Sequence, residues 1–408
     1  MNIFERFLSS SKIFKNREVL WHSYTPDYLP HREEQIEQLA TLLSPILKGG
    51  NPSNIFIYGK TGTGKTATVR FVTKQLLEIC KKLNLNLNVV YLNCEIVDTT
   101  FRILAKLAKA LGRDIPDTGL SIDQVYSEIL KVFEKRENSK VLIVLDEIDK
   151  IVKRAEEALY SITRINSEIG TAKVSIIGIT NNLKFKESLD ARILSSLSEE
   201  EIVFPPYNAE QLEDILRQRA EMAFNDGVIE CGVIELCAAI AAQEHGDARK
   251  ALDLLRVSAE IAERLCEDKV KVEHVRMALK KIECDRVSET IKTLPVHSKI
   301  LLYGIAILSD MYEKFTTGEI YTVYKRLCGK VGLTALTQRR ISDLISELDM
   351  LGILNSVIIS KGRYGRTREI KLETDSKFIK SVLEEDYRLK DLRSYEDEIK
   401  KFAKLILE

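Results

Sequence analysis

The stretch Gly59-Lys60-Thr61-Gly62-Thr63-Gly64-Lys65-Thr66 matches the pattern G-x-x-x-x-G-K-T of a phosphate-binding loop. An apolar run over 54–58 predicts a strand just before it, and the sequence from Ala67 to about Lys82 predicts a helix just after it. Glycines let backbone N–H groups turn inward around phosphates, and the helix N-terminus adds partial positive charge. Lys65 is predicted to reach the β- and γ-phosphates, and the Thr66 hydroxyl to hold Mg²⁺. Residues from Gly59 to Ala67 are therefore predicted to bind a nucleotide.

A second apolar run, 141–145, ends in the acidic sequence Asp146-Glu147-Ile148-Asp149. Its lack of alternation predicts a strand buried on both faces, and the carboxyl ends of such strands are where open α/β sheets bind ligands. Taken alone, the acidic sequence is often only a strand meeting a solvated loop. Downstream of a phosphate loop, it predicts that Asp146 holds Mg²⁺ and that Glu147 acts as base for the attacking water.

Three other polar residues have two interpretations each. Asn181 follows a predicted strand at 174–180 and would orient the water or touch the γ-phosphate, unless it only forms a turn. Arg192 is a surface arginine unless it acts across a subunit boundary. Arg249 lies in the first turn of a helix that Asp247 would cap, where it would swing over the nucleotide or remain solvated.

Breaks in the pattern predict the domains. Pro205-Pro206 follows a short strand, and the sequence after it is rich in helix formers and free of proline up to 285. Two helical stretches within 99–137, joined by a Gly/Pro/Asp-rich loop, predict an inserted helical hairpin on the surface. The predicted domains are an N-terminal extension (1–25), a nucleotide-binding core (26–207), a helical lid (208–286) and a third unit (287–408).

The third unit has the pattern of a winged helix. Helices are predicted at about 296–310, 318–328 and 337–351, followed by strands at 353–359 and 368–372 around a basic hairpin. Between Tyr321 and Lys371 the sequence has ten Lys or Arg residues against four Asp or Glu. Winged helices also bind proteins, but this local basic excess favours DNA.

Polar residues at the start of the third helix are candidates for reading bases, because a helix N-terminus fits the major groove and Gln and Arg pair with adenine and guanine edges. The hairpin residues would grip phosphates or enter the minor groove. The candidate DNA-binding residues are Thr337, Gln338, Arg339, Arg340, Ser342, Arg363, Tyr364 and Arg366.

Composition excludes several classes of protein. Over 408 residues, 61 basic side chains balance 61 acidic ones, so any basic surface is local. The seven cysteines are scattered without C-x-x-C pairs, which argues against a zinc site and for a reducing environment. No secretory signal or membrane span is recognisable, so a cytoplasmic, nucleoid-associated protein with no membrane partner is expected.

The motifs together resemble the archaeal origin-recognition family of AAA+ initiator ATPases, over nearly the whole chain. Their order and spacing are more specific than any one of them. The motifs are Pro30-His31-Arg32-Glu33, Gly59–Thr66, Leu145–Asp149, Ile179–Asn182, Leu189–Arg192, Phe204–Tyr207 and Gly246–Arg249.

The resemblance implies an α/β P-loop AAA+ core, an all-helical lid and a C-terminal winged-helix domain. It implies that Asn181 is the first sensor and Arg249 the sensor arginine of the lid, and that Arg192 acts across a subunit boundary. It also implies that Arg32 and Tyr207 pack the adenine. The two-helix insertion corresponds to the family's initiator-specific element, which implies a DNA contact around 112–119 with Arg113 as phosphate ligand.

The function implied is that of a DNA replication initiator, which binds origin duplex DNA under ATP/ADP control. It would be a slow, Mg²⁺-dependent ATPase acting as a switch, with the replicative minichromosome maintenance helicase and other initiator paralogues as partners. Two alternatives stay open on the residues alone: a clamp-loader-like or helicase-loading ATPase, and a site-specific DNA-binding regulator whose nucleotide is structural.

Overall fold

A computed structural model describes residues 12–97, 99–116, 119–135, 140–151, 155–169, 173–197, 199–360 and 366–407. The chain divides into two compact units, Met1–Ala278 and Leu279–Glu408. No helix in these described ranges is long and apolar enough to cross a membrane.

A parallel sheet with strand order β2-β3-β4-β1-β5 forms the centre of the first unit. β3 and β4 are buried almost throughout because their apolar runs are covered on both faces, as the unbroken hydrophobicity predicts. β1 leads directly into the phosphate-binding loop. The strands are β1 Asn54–Gly59, β2 Leu87–Asn93, β3 Lys140–Asp146, β4 Lys173–Thr180 and β5 Glu199–Phe204.

Helices cover both faces of this sheet. One apolar cluster packs α1 and α2 on one face, and a larger cluster packs α3, α4, α5 and α6 on the other. The helices are α1 Glu33–Leu43, α2 Lys65–Lys82, α3 Thr100–Ala110, α4 Ile122–Lys135, α5 Glu156–Glu168 and α6 Ala191–Leu197.

The predicted hairpin at 99–137 is present as α3 and α4, and Ser121 and Gln124 form a capping box at the start of α4. The hairpin does not lie only on the surface, however. Ile103, Leu104 and Leu107 of α3 are fully buried in the larger apolar cluster. The sequence hid this because a helix that packs on a sheet and a surface helix share the same apolar periodicity.

A helical subdomain follows the core within the first unit. It begins with α7 Ala209–Ala223, α8 Val233–Gln243 and α9 Ala248–Arg264, and α10 Val272–Thr293 extends past the division of the chain. The predicted lid boundary at 286/287 therefore falls within a continuous helix. Residues 12–20 pack on this subdomain: Phe14 and Leu20 are buried, and Arg17 donates to Glu263 at 2.6 Å.

The second unit contains the predicted winged helix. Antiparallel pairing gives a small sheet in the order β6-β8-β7, with α13 packed on β7. Two C-terminal helices that the sequence analysis did not predict, α14 and α15, cover α11 and α12. The elements are α11 Val296–Ser309, β6 Phe315–Thr316, α12 Thr317–Val331, α13 Gln338–Met350, β7 Leu354–Ser360, β8 Arg366–Leu372, α14 Ser376–Glu384 and α15 Glu396–Leu407.

Candidate nucleotide site and nucleic-acid interface

A cavity of about 480 Å³ opens where the ends of β3 and β4 meet the phosphate-binding loop and the start of α9. This volume lies within the usual range of small-molecule sites. The segment 21–26 and the lid helices α7 and α9 complete its wall. The predicted site residues that line it are Thr61, Gly62, Thr63, Gly64, Lys65, Thr66, Ala67, Asp146, Glu147, Asn181, Tyr207 and Arg249.

Lys65 is the first residue of α2, and its side chain is almost fully buried against the loop. Its ammonium donates to the carbonyl oxygens of Gly59 at 2.7 Å and Lys60 at 2.6 Å, and to Oδ1 of Asn181 at 2.8 Å. Burial, together with the positive charge of Arg249, lowers the pKa of Lys65 to about 8. A site with two converging cations is suited to bind a polyanion such as a nucleotide phosphate chain.

The predicted metal ligands are adjacent. The Thr66 hydroxyl donates to Oδ2 of Asp146 at 3.0 Å, and the hydroxyl of Tyr91 donates to the same oxygen. No group of three or more His, Cys, Asp or Glu side chains that could hold a metal occurs among the described residues. The Thr66 hydroxyl and the Asp146 carboxylate are oxygen donors of the kind that Mg²⁺ prefers in proteins.

Glu147 follows Asp146 in a left-handed backbone conformation, with φ of 57°. A short 3-10 turn, Ile148–Lys150, follows it. Burial raises the pKa of Glu147, and the negative charge of the neighbouring Glu95 raises it further. A carboxylate with a raised pKa at the cavity wall suits a general base.

The lid contacts the phosphate-binding loop through the start of α9. Asp247 caps this helix by accepting from the Arg249 N–H at 2.8 Å, and the Ala248 N–H donates to the carbonyl of Gly62 at 3.2 Å. Gly62 has φ of +68°, and a Cβ added there would overlap the Asp247 carboxylate. The loop therefore needs glycine at this position for the lid to approach it.

Arg32 supports the loop from beneath. It is 2% exposed, its guanidinium stacks 3.8 Å above the ring of Tyr207, and it donates to the carbonyls of Thr63 at 2.9 Å and Pro205 at 2.7 Å. Tyr207 lines the cavity, but Arg32 does not. The predicted packing of Arg32 against the adenine stays a prediction; in the structure its guanidinium contacts backbone carbonyls and the Tyr207 ring.

Replacing Arg32 by alanine is expected to lower the free energy of unfolding by about 3 kcal/mol, because the buried Thr63 carbonyl and the part-buried Pro205 carbonyl lose their donor. Urea denaturation measures the change. The matched control is Arg217→Ala: Arg217 is half exposed and paired with Glu213 and Glu235, and its loss should cost less than about 1 kcal/mol. Equal destabilisation by the two changes would contradict a supporting role for Arg32.

Arg192 lies outside the cavity. Its side chain is 75% exposed, and it binds the Asp190 carboxylate through Nε at 3.1 Å and Nη2 at 2.9 Å. Its role toward a nucleotide stays a prediction, and within one chain the structure does not bring it to Lys65 or Glu147.

Arg113, the predicted phosphate ligand of the insertion, lies 3.6 Å from Glu128 of α4.

In the second unit, α13 presents its first turn to solvent. Thr337 caps it by accepting from the Arg340 N–H at 3.4 Å, and Gln338 and Arg339 are exposed. Arg340 lies 3.7 Å from Asp343 and 3.6 Å from Glu347 of the same helix. The Ser342 hydroxyl donates to the Gln338 carbonyl at 3.2 Å, so it is already engaged within the helix.

The wing strands hold α13 in place. Arg368 of β8 donates to the carbonyl of Ser342 at 3.3 Å and to the hydroxyl of Ser346. Arg363 and Tyr364 lie outside the described residues, and Arg366 is described only as the first residue of β8, paired with Ser360. The sequence analysis did not name Arg368. Its position in the alternating pattern of the second wing strand was the feature that could have indicated a contact with α13.

Three family models match the chain in the expected order. The AAA domain matches residues 48–184, the Cdc6 AAA+ ATPase-type lid domain 213–280, and the CDC6 C-terminal winged helix domain 289–382. The ORC1-type DNA replication protein 1 of Archaeoglobus fulgidus is 70% identical over 407 residues, which are 100% of this chain and 99% of that protein. The chain belongs to the family of ORC1-type DNA replication proteins. The predicted family and fold class, AAA+ core, helical lid and winged helix, are confirmed.

Other relatives agree with this assignment. The ORC1-type DNA replication protein of Pyrococcus furiosus is 58% identical over 96% of this chain and 94% of its own length. Among solved structures, the Aeropyrum pernix ORC1 protein in complex with DNA has a TM-score of 0.79 at 49% identity, covering 94% of this chain and 100% of that one. The core of this chain is thus an AAA+ ATPase domain of a replication protein.

Proposed function

We propose that the protein is a replication initiator that binds origin duplex DNA under the control of a bound adenine nucleotide. The observation that carries the proposal is the exposed first turn of α13 on a basic winged helix, in the same chain as a complete phosphate-binding cavity. Its relationship to ORC1-type replication proteins, and to an ORC1 protein solved with DNA, supports this function.

The nucleotide phosphates would lie on the loop. Lys65 would exchange the carbonyls of Gly59 and Lys60 for phosphate oxygens, which are better acceptors for an ammonium group. Thr66 and Asp146 would hold Mg²⁺, which supplies positive charge to the β- and γ-phosphates.

Hydrolysis would depend on two polar groups at the strand ends. Glu147 would take the proton of the attacking water, and Asn181, which here accepts from Lys65, would orient the γ-phosphate. We propose a slow ATPase that acts as a switch, as the resemblance to the initiator family implies. A contribution of Arg192 in trans would require a second copy, because this residue lies outside the cavity of its own chain.

The lid contact gives the nucleotide a means of control. The Ala248 N–H binds the carbonyl of Gly62, and Arg249 lies at the same edge of the cavity. A phosphate chain on the loop would attract Arg249 and change this contact. ATP and ADP can favour different lid positions only to the extent that they bind them unequally.

DNA would be read by α13 and held by the wing. Gln338 and Arg339 are exposed at the helix start, where they can reach base edges, whereas Arg340 and Ser342 already have partners within the helix. Arg113 is a further phosphate ligand if it leaves Glu128. Downstream, the replicative minichromosome maintenance helicase and initiator paralogues remain proposed partners, in a cytoplasmic, nucleoid-associated setting.

Binding of duplex DNA, measured by fluorescence anisotropy over a salt series, tests the proposal. The protein should prefer origin sequence to scrambled sequence. Arg339→Ala should reduce that preference by about tenfold, because a base contact is lost. The double variant Arg363→Ala/Arg366→Ala should weaken binding to both sequences and reduce the salt slope by about two.

The matched control is Arg388→Ala, which removes an exposed arginine outside α13 and the wing. It should bind as the unmodified protein does. If there is no preference for origin sequence, and Arg339→Ala and the wing variant bind like the control, the winged helix does not read DNA. The loader alternative would then be favoured.

A further inference from the structure

Tyr91 connects the outer strand of the sheet to the candidate metal site. It lies on β2, where it pairs with Val144 of β3, two residues before Asp146. Paired residues on neighbouring strands share a face, and so do residues two apart, so Tyr91 and Asp146 lie on the same face of the sheet. A long side chain can cover the diagonal between them. The hydroxyl of Tyr91 reaches Oδ2 of Asp146.

Two elements fix the ring of Tyr91. The guanidinium of Arg70, on α2, lies 4.9 Å above the ring, and the apolar cluster around α1 and α2 packs against it. A phenolic hydroxyl carries its proton at neutral pH, so Tyr91 acts as the donor to Asp146. These contacts hold the ring where its hydroxyl donates to the Asp146 carboxylate.

One carboxylate oxygen of Asp146 accepts hydrogen bonds from two hydroxyl groups. Thr66 donates to Oδ2 at 3.0 Å, and Tyr91 donates to the same atom. The Thr66 hydroxyl is itself a candidate metal ligand, because its oxygen can bind Mg²⁺ through a lone pair while its hydrogen stays on Asp146. The Tyr91 hydroxyl would hold the carboxylate as the second donor and so fix the orientation in which Asp146 meets the metal. Carboxylates that bind metals are commonly oriented by such outer hydrogen bonds.

We propose that Tyr91 is a positioning residue that holds the Asp146 carboxylate in the orientation required for Mg²⁺. This inference rests on the proposed nucleotide function. A purely structural role for Tyr91 would instead affect stability without changing the requirement for metal. The two roles can therefore be separated by measuring the metal dependence of nucleotide binding.

The test is Tyr91→Phe in the full chain, with binding of a fluorescent ADP analogue followed during a Mg²⁺ titration. Phenylalanine keeps the ring under Arg70 and removes only the donor. In Tyr91→Phe, the Mg²⁺ concentration that gives half of the maximal increase in nucleotide binding should be about tenfold higher than in the unmodified protein. In excess EDTA, the variant and the unmodified protein should bind the nucleotide equally.

The matched control is Tyr126→Phe. The hydroxyl of Tyr126 donates to the Ser161 carbonyl at 3.3 Å and to Glu168 at 3.1 Å, outside the cavity. This control should leave the Mg²⁺ requirement unchanged. Electron paramagnetic resonance of Mn²⁺ in the nucleotide complex gives a second readout, in which Tyr91→Phe should leave more free Mn²⁺.

The inference would be overturned if the half-maximal Mg²⁺ concentration of Tyr91→Phe lay within twofold of that of the unmodified protein. It would also be overturned if Tyr91→Phe bound the nucleotide more weakly by the same factor in EDTA as in Mg²⁺. If the unmodified protein itself shows no dependence on Mg²⁺, the metal site proposed at Thr66 and Asp146 fails, and the inference fails with it. The first two results leave the proposed function standing.

Discussion

Replacing Glu147 by glutamine is expected to slow ATP hydrolysis by at least about a hundredfold and to leave ATP binding nearly unchanged. An amide cannot accept the proton of the attacking water, but it keeps the size and the hydrogen-bonding reach of the side chain. The raised pKa of Glu147 and its place in the cavity wall are the grounds for assigning it this role. Single-turnover hydrolysis of labelled ATP measures the rate, and a fluorescent analogue measures binding.

Glu157→Gln is the matched control, since Glu157 is exposed on α5 and lies outside the cavity. Its rate should equal that of the unmodified protein. A Glu147→Gln variant that hydrolyses ATP at the normal rate would show that the base lies elsewhere. If, in addition, every DNA-binding property were unchanged, the nucleotide would be structural, which is the regulator alternative.

The neighbouring Glu95 gives this prediction a pH dependence. The negative charge of Glu95 raises the pKa of Glu147, so the active carboxylate form of Glu147 is lost at a higher pH than for an ordinary glutamate. Glu95→Gln removes that charge and lowers the pKa of Glu147. The acid side of the pH–rate profile should therefore move to lower pH in Glu95→Gln.

The sequence predicted the elements around the cavity because each depends on local patterns. The glycine spacing of 59–64 indicates a tight loop of the kind that binds phosphates, and the unbroken apolar run before Asp146 favours a strand covered on both faces. The N-cap at Asp247 and the alternating strand β8 are likewise local signals, and both are present in the structure. The grouping of Lys65, Asn181 and Asp146 followed from these because parallel strands end at one edge.

What the sequence did not reveal depends on pairing between distant segments. Tyr91 had no local pattern marking it as a partner of Asp146; the contact arises from the register of β2 against β3. The bond from Arg32 to the Thr63 carbonyl also had no local signal, because it joins the segment after His31, whose backbone has φ of 60°, to the phosphate-binding loop. The hydrophobic pattern of a sequence indicates which residues are buried, but it does not indicate which buried residues contact each other.

Replacing Lys65 by alanine is expected to weaken nucleotide binding by at least about a hundredfold, equivalent to about 3 kcal/mol at 1.4 kcal/mol per tenfold. The ammonium is almost fully buried, and it is the side chain that meets the loop carbonyls and Asn181 at one point. Without the ammonium, bound phosphates lose a charge-assisted hydrogen-bond donor. When no nucleotide is bound, the carbonyls of Gly59 and Lys60 lose the same donor. Titration with a fluorescent ATP analogue measures the affinity.

Thermal unfolding distinguishes loss of the site from loss of the fold. Lys65→Ala should unfold at nearly the same temperature with and without nucleotide, because a ligand stabilises only the protein that binds it. The matched control is Lys74→Ala, on the exposed side of the same helix, where the lysine lies 3.5 Å from Asp27. The control should retain both the affinity and the nucleotide-induced rise in unfolding temperature. Equal affinities of the two variants would mean that the phosphates do not lie on this loop, and the nucleotide control proposed for DNA binding would then lack its site.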